Sequence, residues 1–215
     1  MKTNQDPKTT RGFTLVEMIG VLAIIGILAA VLVPKVMDAV ARSKVSGATL
    51  VYNTLRTATV EYYSKSNSFP ARSGTGATDT AVAAGRFDAD LVNGGYIDKL
   101  VSVPIGTTTT TGALTTRTHV RCRPAVVSGN VTVTAANSGD NFNLDNNTAT
   151  AEFVAGDMVV SLMIPGVPLK DAVALNALVD SVVNTTSAAD AVGRCIYSAP
   201  AANGTVTVYL YVAHQ

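Results

Sequence analysis

The sequence predicts an α+β fold, one long amino-terminal helix followed by a mostly antiparallel sheet. Three observations lead there. Phe13 to Val33 is a run of twenty-one residues in which Glu17 is the only charge. After Pro34 the apolar residues recur at steps of three and four. Beyond about residue 100, Val, Thr, Gly and Asn dominate, residues that favour strands and the turns between them. Runs of helix and then runs of strand make an α+β plan.

The apolar run comes first. Twenty-one residues at helical rise span about 31 Å, close to the hydrocarbon thickness of a bilayer. Lys2, Lys8 and Arg11 precede the run against Asp6 alone. By the positive-inside rule the amino terminus then stays cytoplasmic and the remainder lies outside. A carboxylate at membrane depth costs a few kcal/mol, so Glu17 calls for a partner. A cleavable secretory signal fits poorly, because the run ends in Val33-Pro34-Lys35 without a small-residue cleavage site. A simple membrane anchor with an incidental Glu17 remains as an alternative.

From Pro34 the pattern is amphipathic. Met37, Ala41, Val45, Ala48, Val51, Leu55, Ala58 and Tyr62 mark one face, while Lys35, Arg42, Lys44 and Arg56 lie off it. One helix is expected from about Phe13 to about Lys65, ended by Asn67-Ser68-Phe69-Pro70. Residues 71–86 are small and polar and read as a loop.

Strands are expected at about His119–Val127, Asn130–Ala135, Ala151–Phe153 and Met158–Ile164, then a helix over Pro168–Ser181 with Pro168 near its start. Gly193–Ser198 and Val206–Val212 flank Asn203-Gly204, a hairpin signal.

Composition bounds the function. Charged residues are 14% of the 215, apolar residues 47%, and the net charge is +1. No global charge points to nucleic acid, and the apolar fraction is too high for disorder. His119 and His214 are the only histidines, and neither is spaced beside a nucleophile or a metal partner. No G-x-S-x-G or comparable catalytic motif appears, so an enzyme is not expected. Asn141, Asn143, Asp145, Asn147 and Glu152 fall at calcium-loop spacing. With Asn at the first position and Asn146 where glycine belongs, Asp145 and Glu152 are the only carboxylates left, and an Asn-rich turn is the expected reading. No cofactor is expected. Thr107–Thr111 reads as a polar linker.

Gly12-Phe13-Thr14-Leu15-Val16-Glu17, behind a basic leader and inside one long apolar helix, resembles the amino-terminal signal of type IV pilins and of the pseudopilins of type II secretion systems. The resemblance is strong over residues 8–35, fair to about residue 106, and absent beyond. Within it, Leu91 to Gly106, with Gly95-Tyr96-Ile97 and Pro104, resembles the pseudopilin segment in which a short helix ends in a turn followed by a proline. It implies a pilin-like fold. It also implies cleavage by a prepilin peptidase after Gly12 and methylation of the new amino terminus on Phe13. A residue without a side chain suits a backbone that a protease must approach closely. The resemblance further implies that Glu17 pairs with the amine of a neighbouring subunit and sets the register of a filament. Gly26 and Pro34 then mark where the helix loses regularity after assembly.

The expected organisation is a leader at 1–12, a membrane helix at 13–33, its amphipathic continuation at 34–66, and an external β-rich domain at 67–215. The expected partners are copies of the chain and other pilins or pseudopilins, the prepilin peptidase, the inner-membrane assembly platform and membrane lipid. The expected place is the inner membrane as a single-pass protein, its filament in the periplasm or at the cell surface. The motif does not separate a pilus from a secretion pseudopilus, and a singly anchored periplasmic binding module is the alternative.

Cys122 and Cys195 are the only cysteines. Both fall in expected strands of an external domain. A disulfide between them would close a 73-residue loop and stabilise by about 4 kcal/mol. The other reading is two buried thiols in strands that never meet.

Overall fold

A computed structural model describes residues 12–70, 86–107, 117–125, 141–145, 152–180 and 189–215. Two compact units are present, Met1–Val40 and Ala41–Gln215.

Helix α1, Leu15–Ser66, carries 52 residues and includes Pro34. In the first unit its side chains are exposed, Leu15 at 75% and Ile27 at 68%. Its most apolar window has a mean hydropathy of 2.7, long and apolar enough to cross a membrane.

In the second unit Val45, Ala48, Tyr52, Leu55, Ala58 and Thr59 of α1 are buried. They are spaced by three, four or one, the stripe that a helix lays on a sheet. Four of them match the expected stripe. Tyr52 and Thr59 join it, Val51 and Tyr62 are only partly buried, and Met37 is exposed. The helix stops where Asn67 takes a left-handed φ of 52°. Asn tolerates that conformation better than most residues.

A short helix α2, Phe87–Asn93, follows. Phe87 meets Tyr62 edge to face at 5.2 Å, and Phe69 packs on Phe87 at 5.8 Å. The aromatic after the long helix therefore ties its end to α2.

The sheet has four antiparallel strands in the order β1-β2-β4-β3. They are β1 His119–Pro124, β2 Met158–Pro168, β3 Cys195–Tyr197 and β4 Thr205–His214. Helix α3, Leu169–Val179, links β2 to β3, with Pro168 as its cap residue. One sheet face carries Val120, Leu162, Ile164, Val208 and Leu210 and forms the main core with α1, α2 and α3. The other carries Val159, Met163, Ile196 and Tyr209 beneath Phe142 and Phe153. Alternate residues thus serve two cores, as the pleat requires.

Three local results refine the expectations. β2 runs past Ile164 because a register shift between Ile164 and Val167 absorbs Pro165 and Gly166. Proline and glycine read as strand breakers, but a bulge accommodates both. Gly106, at φ +68°, sits where an added Cβ would lie 2.6 Å from the Pro165 carbonyl, so only glycine fits there. The β3–β4 hairpin turns at Asn203-Gly204 as expected, with the Asn203 carboxamide oxygen accepting from the Thr205 N–H and hydroxyl.

β1 ends at Pro124, and Phe153 lies in a bend rather than a strand. The expected strand Asn130–Ala135, the residues of β1 expected beyond Ala125, and Ala151 lie outside the described residues.

Candidate functional site

The residues singled out by the amino-terminal motif stand together at the start of α1. Thr14 precedes the first helical residue, and Glu17 is three positions on. The Thr14 N–H and the Thr14 hydroxyl both donate to Glu17 Oε2 at 2.8 Å. The Glu17 N–H donates back to Thr14 Oγ1 at 3.3 Å. This is a reciprocal capping box, which satisfies backbone donors that a helix start leaves unpaired. The T-x-x-E spacing carried that signal in the sequence, and the sequence reading missed it.

The box has two chemical consequences. It fixes the glutamate rotamer at the helix start, and it occupies Oε2 while leaving Oε1 for another donor. An anionic group near a helix amino terminus is also favoured by the helix dipole. Phe13 is exposed beside it. An added Cβ at Gly12, Gly20 or Gly26 would meet no heavy atom within 4 Å. The backbone around Gly12 is open to approach, and α1 is continuous through both Gly26 and Pro34.

The cysteine pairing is corrected. Cys122 and Cys195 are buried and not bonded to each other. Cys122 lies in β1 opposite Val160 of β2, and Cys195 in β3 opposite Leu210 of β4. The sheet order puts two whole strands between them. Three inter-strand steps come to roughly 14 Å, whereas a disulfide needs Cα atoms within about 7 Å. Burial raises the Cys195 thiol well above its ordinary pKa, the opposite of a reactive thiolate.

The Asn-rich segment uses its carboxylate on its own backbone. Glu152 Oε1 accepts from the N–H groups of Leu144 and Asp145 at 3.0 and 2.9 Å. Among the described residues, no group of three or more His, Cys, Asp or Glu is arranged to hold a metal ion.

The histidines have structural surroundings. His119 is 1% exposed, with Nδ1 against the Arg117 carbonyl at 3.0 Å. Burial pulls its pKa down to about 4, so it is neutral near pH 7. His214 Nδ1 meets the Tyr211 hydroxyl.

Two polar clamps, one buried and one half-buried, were not legible from spacing. Arg86 and Asp88 form an ion pair at 4% and 0% side-chain exposure, and Asp88 Oδ2 accepts the Val101 N–H at 3.1 Å. Asp180 takes the N–H groups of Arg194 and Cys195 at 2.9 and 2.8 Å. Gly193 makes room for that carboxylate, since a Cβ there would lie 2.5 Å from Asp180 Oδ2.

Comparison with known proteins bears on the amino-terminal group. Residues 7–33 match the family model described as the prokaryotic N-terminal methylation motif. The chain is 41% identical over 97 residues to the fimbrial protein EcpC of Eikenella corrodens, covering 45% of this chain and 57% of that one. It is 39% identical over 101 residues to the type IV major pilin protein PilE1 of Neisseria gonorrhoeae, covering 47% and 56%. It is 47% identical over 51 residues to a fimbrial protein of Pseudomonas aeruginosa, covering 24% and 33%. The match thus spans little more than half the length of the first two relatives. No solved structure matches the chain. The chain thus carries the prokaryotic N-terminal methylation motif, and over about half its length it is similar to type IV pilins and fimbrial proteins.

Proposed function

We propose that the protein is the structural subunit of a type IV pilus. The observation that carries this reading is Glu17, held by Thr14 at the head of an exposed apolar helix, with the Gly12–Phe13 junction just before it. Prepilin peptidase cuts after Gly12 and methylates Phe13. The new ammonium on Phe13 and the Glu17 carboxylate are each costly in lipid, and they are less costly paired. Glu17 Oε1 takes the amine of a neighbouring copy while Oε2 stays in the capping box. That pairing sets the stagger between copies.

Before assembly α1 anchors the protein in the inner membrane, amino terminus cytoplasmic and residues 67–215 periplasmic. The assembly platform then exchanges lipid contacts for contacts between helices, and Gly26 to Pro34 is the stretch that loosens. The relatives named as major pilins and fimbrial proteins favour a pilus over a type II secretion pseudopilus.

The test is the intact mass and amino-terminal peptide of the protein from its native membrane. A chain beginning at N-methylated Phe13 is expected. A chain that keeps residues 1–12 overturns the reading in favour of a singly anchored protein.

A further inference from the structure

Within the second unit, a group of polar side chains gathers where the end of α3 and the Asn-rich segment meet the chain entering β3. The backbone of residues 192–195 holds it together. The Val192 N–H donates to Asp190 Oδ1 at 3.1 Å, and the Gly193 N–H donates to the Asn143 carbonyl at 2.7 Å. The next two N–H groups, of Arg194 and Cys195, go to Asp180 at the end of α3. From one turn earlier in α3, Asn176 Nδ2 donates to Asp190 Oδ2 at 2.5 Å.

Two things in this group are out of balance. The first is charge. Asp190 is 6% exposed and Asp180 is half-buried. Among the described residues neither carboxylate has an ion pair. Burial raises the Asp180 pKa, the Arg194 and Cys195 N–H groups oppose that, and the Asp190 charge raises it further. The two carboxylates therefore stand within reach of each other. Arg194 is exposed and acts on Asp180 only at longer range than an ion pair. The second is hydrogen bonding. Asn176 is 2% exposed and its Oδ1 has no partner, and Asn143, held at the same turn and 1% exposed, has none for Oδ1 or Nδ2. Folded interiors rarely leave such atoms unpaired, and a buried carboxylate is normally paired or bound to a metal.

Asn176 Oδ1 shares its carboxamide with the nitrogen that sits on Asp190, so it stands beside that carboxylate. Both are acceptors and neither can satisfy the other. A cation between them satisfies both. We propose that Asp180, Asp190 and the Asn176 carboxamide oxygen form a site for a divalent cation of the calcium class. The donor set carries the class, since carboxylate and carboxamide oxygens suit a hard cation and the group offers no imidazole or thiolate. Calcium fits better than magnesium, because it accepts irregular oxygen cages, whereas magnesium demands a near-ideal octahedron and keeps its waters. With only two carboxylates the affinity belongs at the weak end, a dissociation constant of about 10⁻⁴ to 10⁻³ M, the range of extracellular modules. The site does not depend on the filament reading.

The test titrates calcium chloride into the full chain, detergent-solubilised and freed of metal with a chelator. Calorimetry should show one equivalent bound in that range. At about 10 mM, calcium should raise the thermal midpoint of the globular unit by roughly 5 °C, reversed by chelator. Magnesium should do much less. Asp190→Asn keeps the shape and removes the charge. It should abolish the calcium response and leave the calcium-free midpoint equal or higher, because one of two repelling charges is gone. Asp98→Asn, at an exposed carboxylate elsewhere, should leave the response intact. No binding at about 10 mM, an undiminished response in Asp190→Asn, or an equal response to magnesium overturns the proposal. So does a calcium-free midpoint that falls in Asp190→Asn while the wild type ignores calcium, which would make the group a structural clamp alone.

Discussion

The two halves of α1 share one helix and differ in what surrounds them. Up to Val40 every described side chain is exposed, and nearly every one is apolar. From Ala41 on, a narrow stripe of Val45, Ala48, Tyr52, Leu55, Ala58 and Thr59 is buried, and the exposed remainder mixes polar residues with Leu50 and Val60. The second half finds its solvent in the chain's own sheet. The first half has no such surface and needs lipid or other copies to cover it. One half therefore carries the stability of the globular unit, and in the proposed filament the other carries association.

Substitutions can break that division. The largest effect is expected from Glu17→Ala, which should reduce filament assembly by about a hundredfold. The thermal midpoint of the globular unit should stay unchanged. Filaments forming normally from this variant would remove Glu17 from assembly.

The second expectation sets equal substitutions in the two halves against each other. Leu55→Ala should cost about 3 kcal/mol by leaving a cavity under the sheet. Leu28→Ala should leave the denaturation midpoint of residues 41–215 within about 0.5 kcal/mol. Comparable losses from both would mean that the first half also supports the globular unit.

A pH titration sharpens the picture of the buried half. His119 is pulled down to about 4 chiefly by burial, with Arg121 and Arg86 also lowering it and its Arg117 carbonyl contact and Asp88 opposing. A depressed histidine contributes stability that is complete above its unfolded pKa and is lost as pH falls through the folded value. Between about pH 6.5 and 4 the protein should lose roughly 3 kcal/mol, and His119→Gln should flatten that slope. An unchanged slope in the variant would assign the loss to other groups.

Smaller still, Tyr52→Phe should cost about 1 kcal/mol. It removes the 2.6 Å hydrogen bond from the Tyr52 hydroxyl to the Tyr211 carbonyl. Burial also pushes the Tyr52 pKa up to about 12, so spectroscopic titration should show one phenol ionising late. At the bottom of the scale, a reductant should leave the thermal midpoint where it was, since Cys122 and Cys195 are two strands apart.

Most of the candidate site was legible because its logic is local. Gly12, Phe13 and Glu17 are neighbours in sequence, and the Thr14–Glu17 box spans a single turn. The aromatic cluster of Tyr62, Phe69 and Phe87 was half legible, since Phe69-Pro70 announced the helix end but not the helix it meets. The Arg86–Asp88–Val101 clamp carried no sequence signal. The third member lies thirteen residues from the second, and nothing in the spacing says that they are buried together.

By itself, then, the sequence determined the apolar anchor, the amphipathic continuation, the α+β plan and the Asn-Gly hairpin. Each follows from hydrophobic period and turn chemistry, which act over a few residues. Only the tertiary structure decided the strand order, and with it the fate of the cysteines. Which strands lie side by side depends on how two sheet faces and three helices share their buried area.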